Sequence, residues 1–343
     1  MFFVVIAHFP RVNGNYIFGS LHKGLFCVEM LFILSGYLIT RSYLNHYADL
    51  KNKVKTFYFR RIFRTWPVYY FVLLMYLAFP QIREFPGDFH VNQFLFFFQN
   101  WKMDMSTFSY TWSLCIEEQF YLIFPFLVIL ANYKPFMNDK VLLFILVFVG
   151  LATRFWLWQS LDIANSVAQE NLYRTFLYYP TWTRFDGLAI GMFLAKVERI
   201  NPLEFYELEK SKWTYLVGAI SFVLALFVRD NKYSFFSCVL HFPLAALSMG
   251  CFFLFIKCYK GFFEKKAFRF FSFIATISYS LYLTNRQSFT IATRLLEQIS
   301  IKSNSAQGIL VSFFLVLGIA IFVYILVEKP GLSFRDKMVK KWI

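Results

Sequence analysis

The sequence predicts an all-α, polytopic transmembrane helical bundle of about ten spans. Three observations carry that prediction. Of 343 residues, 58% are hydrophobic and 22% aromatic, whereas only 16% are charged, well below the roughly 25% of a soluble domain. Apolar runs of span length recur from one end of the chain to the other, and no polar stretch between them exceeds about 25 residues. Lys and Arg concentrate in alternate connecting loops, as the positive-inside rule requires of a multi-pass chain. The same composition excludes disorder, because so apolar a chain cannot stay solvated. It leaves no room for a separate soluble domain, so residues 1–343 read as one integral-membrane domain.

Phe2–Phe9 is apolar but too short to cross alone, which predicts a first span truncated at its N-terminus and ending near His8. It lacks the basic n-region and small-residue cleavage site of a signal peptide. Clear apolar runs follow at 24–40, 66–80, 112–131, 141–158, 181–195, 213–228, 236–256, 272–285 and 306–327. Phe94–Phe98 is shorter and reads as interfacial or re-entrant. Segment 41–65 carries seven Lys or Arg, 132–140 two, 196–212 four, 257–271 five and 328–343 five. If Phe94–Phe98 does not cross, all of these segments fall on one side, the cytoplasm, together with both termini. The net charge of +15 is therefore topological, and no nucleic-acid partner is expected. The cysteines (Cys27, Cys115, Cys238, Cys251, Cys258) have no paired spacing and read as buried thiols. The histidines form no ligand pattern, so no metal site is expected.

Charged side chains inside a bilayer are costly and mark function by default. The candidates are His8, Glu29, Glu117, Glu118, Arg154, Arg184 and Asp186. Glu29 and Glu117 each lie about five residues from the outer end of a span, so both are expected roughly 7 Å below the outer boundary. His8, Arg184 and Asp186 also fall near outer ends. This predicts one polar layer that can hold a general base and the groups that orient it; a structural ion-pair network is the alternative. Glu118 lies about 100° around the helix from Glu117. Glu117, which shares a face with Tyr121, is the one expected to matter. At the opposite boundary, Phe57–Pro67 contains Arg60, Arg61 and Arg64, which on a helix form one cationic face. Arginine forks suit phosphates; anchoring to anionic headgroups is the blander alternative.

Several of these stretches resemble the membrane-bound acyltransferase family 3. They are Gly24–Thr40, Phe57–Pro67, Trp112-Ser113-Leu114 with Glu117-Glu118-Gln119-Phe120-Tyr121, Arg184-Phe185-Asp186-Gly187 with Gly191, Ser278–Leu283, and Glu328-Lys329-Pro330. The matches run in family order over almost the whole chain. The resemblance implies an O-acyltransferase of the bacterial inner (cytoplasmic) membrane. Such an enzyme takes acyl groups, commonly acetyl, from cytoplasmic acyl-CoA, a donor substrate rather than a bound cofactor. The acceptor is a hydroxyl of a cell-surface polysaccharide, another glycan or a lipid-linked sugar. In the family's first span an arginine precedes an essential histidine. His8 matches the histidine, and the arginine position falls upstream of Met1. Asn285 stands where relatives frequently have histidine, and an amide cannot shuttle a proton.

Residues and resemblance together predict His8 as general base on the acceptor hydroxyl, with Glu29 or Glu117 fixing its tautomer. Tyr58, Arg60, Arg61 and Arg64 are expected to bind acyl-CoA. Trp112, Tyr121, Arg184 and Asp186 are expected at the acceptor or transition state. Arg184 is a candidate oxyanion partner, and the two aromatics either stack on sugar or pack. Ser35, beside Gly36, reads as a small residue that permits close helix approach rather than as a nucleophile. The competing class is a non-catalytic glycan or small-molecule transporter or flippase; the lack of an inverted sequence repeat speaks against it.

Overall fold

The computed structural model describes residues 11–12, 15–16, 24–45, 50–83, 90–101, 108–133, 139–259, 269–303 and 305–341; His8 lies outside them. A two-residue antiparallel ladder, β1 (Arg11–Val12) with β2 (Asn15–Tyr16), precedes the helices. The first half of the bundle comprises α1 (Gly24–Leu44), α2 (Leu50–Ala78), the short α3 (Val91–Leu95), α4 (Trp112–Tyr133), α5 (Asp139–Ser160) and α6 (Gln169–Leu172). Next come α7 (Asp186–Ile200), α8 (Pro202–Lys210), α9 (Lys212–Arg229) and α10 (Phe235–Cys258). The chain closes with α11 (Arg269–Thr276), α12 (Ser278–Gln298), α13 (Ala306–Val323) and α14 (Lys329–Lys340).

Among the described residues, six helical stretches are long and apolar enough to cross a bilayer: Phe26–Leu44, Ser109–Leu130, Lys140–Ser160, Lys212–Arg229, Phe235–Cys258 and Ala306–Lys340. They match the runs at 24–40, 112–131, 141–158, 213–228, 236–256 and 306–327. The other three expected spans differ. The run at 66–80 is one end of α2, whose other half is basic. The run at 181–195 opens in a 3-10 turn, and α7 has only 15 residues, about 22 Å against a core of about 30 Å. The run at 272–285 is interrupted at Ile277, between α11 and α12. The architecture is a helical membrane bundle, with six candidate spans among the described residues. Phe144, Phe148, Trp156, Phe227, Phe314 and Phe322 are exposed on its surface, a costless arrangement where the solvent is hydrocarbon.

The closest pairing is α1 against α7. A Cβ added at Gly36 would lie 2.2 Å from the Leu188 carbonyl oxygen, and one at Gly191 would lie 2.1 Å from that of Ile33. Gly187 and Gly191 have the small-xxx-small spacing by which backbones meet in membranes. Lipid gives helices no hydrophobic reason to associate, so close packing has to supply the attraction. The expectation that Ser35-Gly36 marks a close approach is thus met.

Phe94–Phe98 folds inward rather than crossing. Tyr69 donates to the Phe94 carbonyl at 2.9 Å, and Gln119 donates to that of Phe97 at 2.7 Å. Phe97, at φ 58°, stacks on Tyr69 with ring centroids 4.3 Å apart. Buried Asn100 donates to Tyr179 O at 3.1 Å and to Thr181 Oγ1 at 2.9 Å. This inward loop lies beside the middle of α2, and α4 starts from within the bundle: Trp112, its first residue, packs edge-on against Phe32 in mid-α1. The motifs Ser278–Leu283 and Glu328-Lys329-Pro330, far apart in sequence, also meet. Ser280 Oγ donates to Glu328 Oε2 at 2.6 Å, and Tyr279 donates to Thr65 O at 2.8 Å, docking α12 onto α2.

Outside the spans, Glu170 ties the α5–α7 connection to the α9–α10 turn. It accepts from Lys232 at 2.5 Å and Tyr233 at 2.7 Å, and it pairs with Arg174. Burial alone would raise its carboxyl, but hydrogen bonds from Lys232 and Tyr233 and the charges of Lys232 and Arg174 outweigh that and hold it at about 2, against an ordinary 4.5. A carboxyl depressed by folding stabilises above its unfolded pKa and loses that contribution as pH falls through the folded one. Pepsin cleavage of these connections is therefore expected to rise as pH drops from 4.5 toward about 2. Cleavage that already rises above about pH 5 would remove Glu170 as the tie.

Candidate active site

Among the described residues, two of the polar clusters inside the bundle lie one helical turn and a half apart along α1. The first holds two carboxylates and two arginines. Glu29 Oε1 lies 2.9 Å from Arg184 Nη2, and Arg154 Nη1 and Nη2 donate to Asp186 Oδ2 and Oδ1 at 2.6 and 3.1 Å. All four are at most 2% exposed. Arg184 and Asp186, two residues apart in the sequence, do not pair with each other: each takes its partner from another helix. Arg184 ends a 3-10 turn at φ −133°, whereas Asp186 already belongs to α7, so their side chains diverge. Arg154 Nη1 also donates to Thr183 O at 2.7 Å, which fixes the turn that presents Arg184.

The Arg184 guanidinium sits among aromatic faces: Phe242 at 4.4 Å, Tyr178 at 5.2 Å, Trp112 at 5.7 Å and Phe32 at 5.8 Å from the ring centroids. Cation–π contact of this kind compensates a desolvated cation. Its Nε and Nη1 have no hydrogen-bond partner among the described residues, and neither does Glu29 Oε2. Trp112 is thus a wall of the arginine cage, packed against Tyr178 and Tyr179.

The second cluster contains Glu117. Ser35 Oγ donates to Glu117 Oε2 at 3.0 Å and Tyr121 donates to the same oxygen at 2.7 Å; Ser35 Oγ and Tyr121 Oη are 2.5 Å apart. The Arg61 guanidinium lies 5.6 Å from the Tyr121 ring centroid, and Glu117 feels the charges of both Arg61 and Arg64. Glu117 therefore does not share the Glu29 layer, as its position in the sequence suggested. Its partner Ser35 lies six residues beyond Glu29, about 9 Å along α1, because α4 begins deep in the bundle. Glu118 turns away, as expected, accepting from Thr65 at 2.6 Å and Trp66 at 3.2 Å. Tyr121 is buried, and these hydrogen bonds fix its hydroxyl between Glu117 and Ser35.

The basic half of α2 lies next to this second cluster. A groove between the ends of α1 and α2 is lined by Ser42, Tyr43, Lys53, Thr56, Phe57, Arg60 and Arg61. Tyr58 donates to Leu122 O at 2.7 Å, which fixes α2 against α4. Arg60 also feels the charges of Arg335 and Asp336 on α14. Lys53 was not singled out from the sequence, although Lys53, Arg60 and Arg64 repeat at i, i+7 and i+11 on one helical face. Arg154 was recognised as an ionisable group but given no role; the signal was charge balance, two buried carboxylates needing two cations. Among the described residues, no group of three or more His, Cys, Asp or Glu is placed to hold a metal.

The family described as an acyltransferase domain matches residues 1–328. The chain belongs to the acyltransferase 3 family. This sets it on the enzyme side of the choice between acyltransferase and transporter. It is 31% identical over 299 residues to the peptidoglycan O-acetyltransferase OatA of Listeria monocytogenes, covering 80% of this chain and 46% of that protein. It is 27% identical over 210 residues to the O-acetyltransferase OatA of Staphylococcus aureus, covering 56% of this chain and 32% of that protein. An uncharacterized protein of Haemophilus influenzae is 28% identical over 228 residues, covering 61% of this chain and 89% of that protein. The chain thus spans less than half the length of the two OatA proteins. No solved structure matches it.

Proposed function

We propose that this acyltransferase is a membrane O-acetyltransferase that moves acetyl from cytoplasmic acetyl-CoA to a hydroxyl of a cell-envelope glycan. The observation that carries the reading is the run of contacts Arg61–Tyr121–Glu117–Ser35, which leads from the basic groove into the bundle. Lys53, Arg60, Arg61 and Arg64 would hold the CoA phosphates and Tyr58 would keep α2 in place. The thioester would then reach the Glu117 level. Positive-inside bias assigns the groove to the cytoplasm, and with it both termini, in a topology of about ten spans in a bacterial inner membrane. The names of the OatA relatives support a glycan acceptor.

In this scheme His8 is the general base on the acceptor hydroxyl. Glu29, whose Oε2 is without a partner among the described residues, fixes its tautomer and stabilises the imidazolium. The unpartnered Nε and Nη1 of Arg184 are donors that a developing oxyanion can take up. Asp186 acts at one remove, holding Arg154 and so the turn beneath Arg184.

The test uses membranes carrying the protein, radiolabelled acetyl-CoA and an isolated glycan. Arg61→Ala is expected to lower transfer about tenfold to a hundredfold, mainly through KM for acetyl-CoA, as loss of one charge-assisted contact implies. Wild-type membranes that consume no acetyl-CoA would refute the reading. Transfer unaffected by His8→Ala would refute the base.

A further inference from the structure

Ser35 has no task in the scheme above, yet its surroundings are those of an activated nucleophile. Hydroxyls that merely quiet a membrane helix donate back one turn along the same helix, as Thr40 does to Gly36 O, Thr284 to Ser280 O and Ser288 to Thr284 O. Ser35 instead donates across to the Glu117 carboxylate on α4. Among the described residues, two other pairs of a serine or threonine hydroxyl with a carboxylate join helices, Ser280–Glu328 and Thr65–Glu118. Their hydroxyl residues are 0% and 7% exposed, whereas Ser35 is only half-buried. The carboxylate is in turn oriented by the buried Tyr121. A nucleophile on a base, with the base held by a third group, is the recurring geometry of covalent catalysis.

We propose that Ser35 carries the acyl group between donor and acceptor as an O-acyl-serine. The inference rests on the acyl-CoA reading above. Ser35 Oγ attacks the thioester carbonyl carbon and its proton passes to Glu117. Once Glu117 holds that proton, Tyr121 Oη, 2.5 Å from Ser35 Oγ, is free to donate to the tetrahedral oxygen. The C–S bond then breaks, and the CoA thiolate takes the proton from Glu117 and leaves as the thiol. In the second half an acceptor hydroxyl attacks the serine ester carbon and its proton passes to His8, the base assigned to the acceptor above; the C–O bond to Ser35 Oγ then breaks, and the imidazolium returns that proton to Ser35 Oγ. The pantetheine arm then needs to reach only the Ser35 level, and the remaining distance of about 9 Å to the Glu29 layer is covered on the acceptor side.

The experiment incubates the purified full chain in nanodiscs with radiolabelled acetyl-CoA, first without acceptor and then with glycan. Wild type is expected to retain acid-stable label that resists neutral hydroxylamine, is removed by mild alkali and is discharged by glycan. Ser35→Ala should carry no label and transfer more than about a hundredfold more slowly. Ser35→Cys, nearly isosteric, should fold and carry a label that hydroxylamine now removes. Wild type that transfers without retaining label, label that maps elsewhere, or Ser35→Ala that transfers at the wild-type rate would each overturn the acyl-serine while leaving the O-acetyltransferase reading intact. Wild type that neither transfers nor retains acetyl would overturn both.

Discussion

Gly191→Leu is expected to abolish accumulation of the folded protein. The position has no room even for a methyl group: a Cβ there would stand 2.1 Å from Ile33 O and 2.8 Å from Tyr37 N. Both obstacles are backbone of α1, so no rotamer change relieves the clash, and the helices must separate. Separation pulls α7 away from the face of α1 that carries Glu29, Phe32, Ile33 and Gly36. The cost falls among the rare changes above about 4–5 kcal/mol, comparable to the whole stability of many domains. Gly191→Ala should also be severe, since the Cβ alone makes the clash. Gly318→Leu is the control, because nothing lies within 4 Å of a Cβ there. Abundance and detergent size-exclusion profiles of the three variants decide the matter; Gly191→Leu at wild-type abundance would show that α1 and α7 do not meet here.

One side of that contact was legible in the sequence, because Ser35-Gly36 is a pair of small residues whose meaning in a membrane is local; the Gly187-x-x-x-Gly191 pattern that it meets stood there only as part of a family motif. Depth was not. Placing Glu117 about five residues from an outer boundary assumed that a helix starts where its apolar run starts. In the structure the segment around Phe97 and Asn100 folds inward and α4 begins beside Phe32. The amides that make such a loop tolerable in a membrane, Gln99, Asn100 and Gln119, bond to Thr111, Thr181 and Phe97 O; partners so scattered leave no period in the sequence. Pairing of charges was equally hidden. Arg184 and Asp186 are two residues apart, a spacing that on a helix points side chains away from each other, and each found its partner on another helix. The basic face of α2 was readable as far as Arg60, Arg61 and Arg64, and the same helical repeat carried one step further would have added Lys53.

Arg154→Leu is expected to destabilise the fold by about 3–5 kcal/mol, the cost of leaving a buried carboxylate uncompensated. Asp186 is 2% exposed and receives two hydrogen bonds from Arg154; removal of the arginine also frees the Thr183 carbonyl that it holds. The double variant Arg154→Leu/Asp186→Leu should recover most of the loss, since replacing a buried pair by apolar residues of similar volume is often neutral. A cycle of the wild type, two single variants and the double variant, read as thermal stability in detergent, measures that coupling. Additive losses would show that the two side chains do not interact. The same cycle separates structure from catalysis at the neighbouring pair. Glu29→Gln keeps the shape of the side chain and an acceptor oxygen for Arg184 while removing the charge that the proposed imidazolium requires. Normal abundance with lost transfer assigns Glu29 to the chemistry, whereas lost abundance with normal specific activity makes the layer a lock between α1 and the turn before α7.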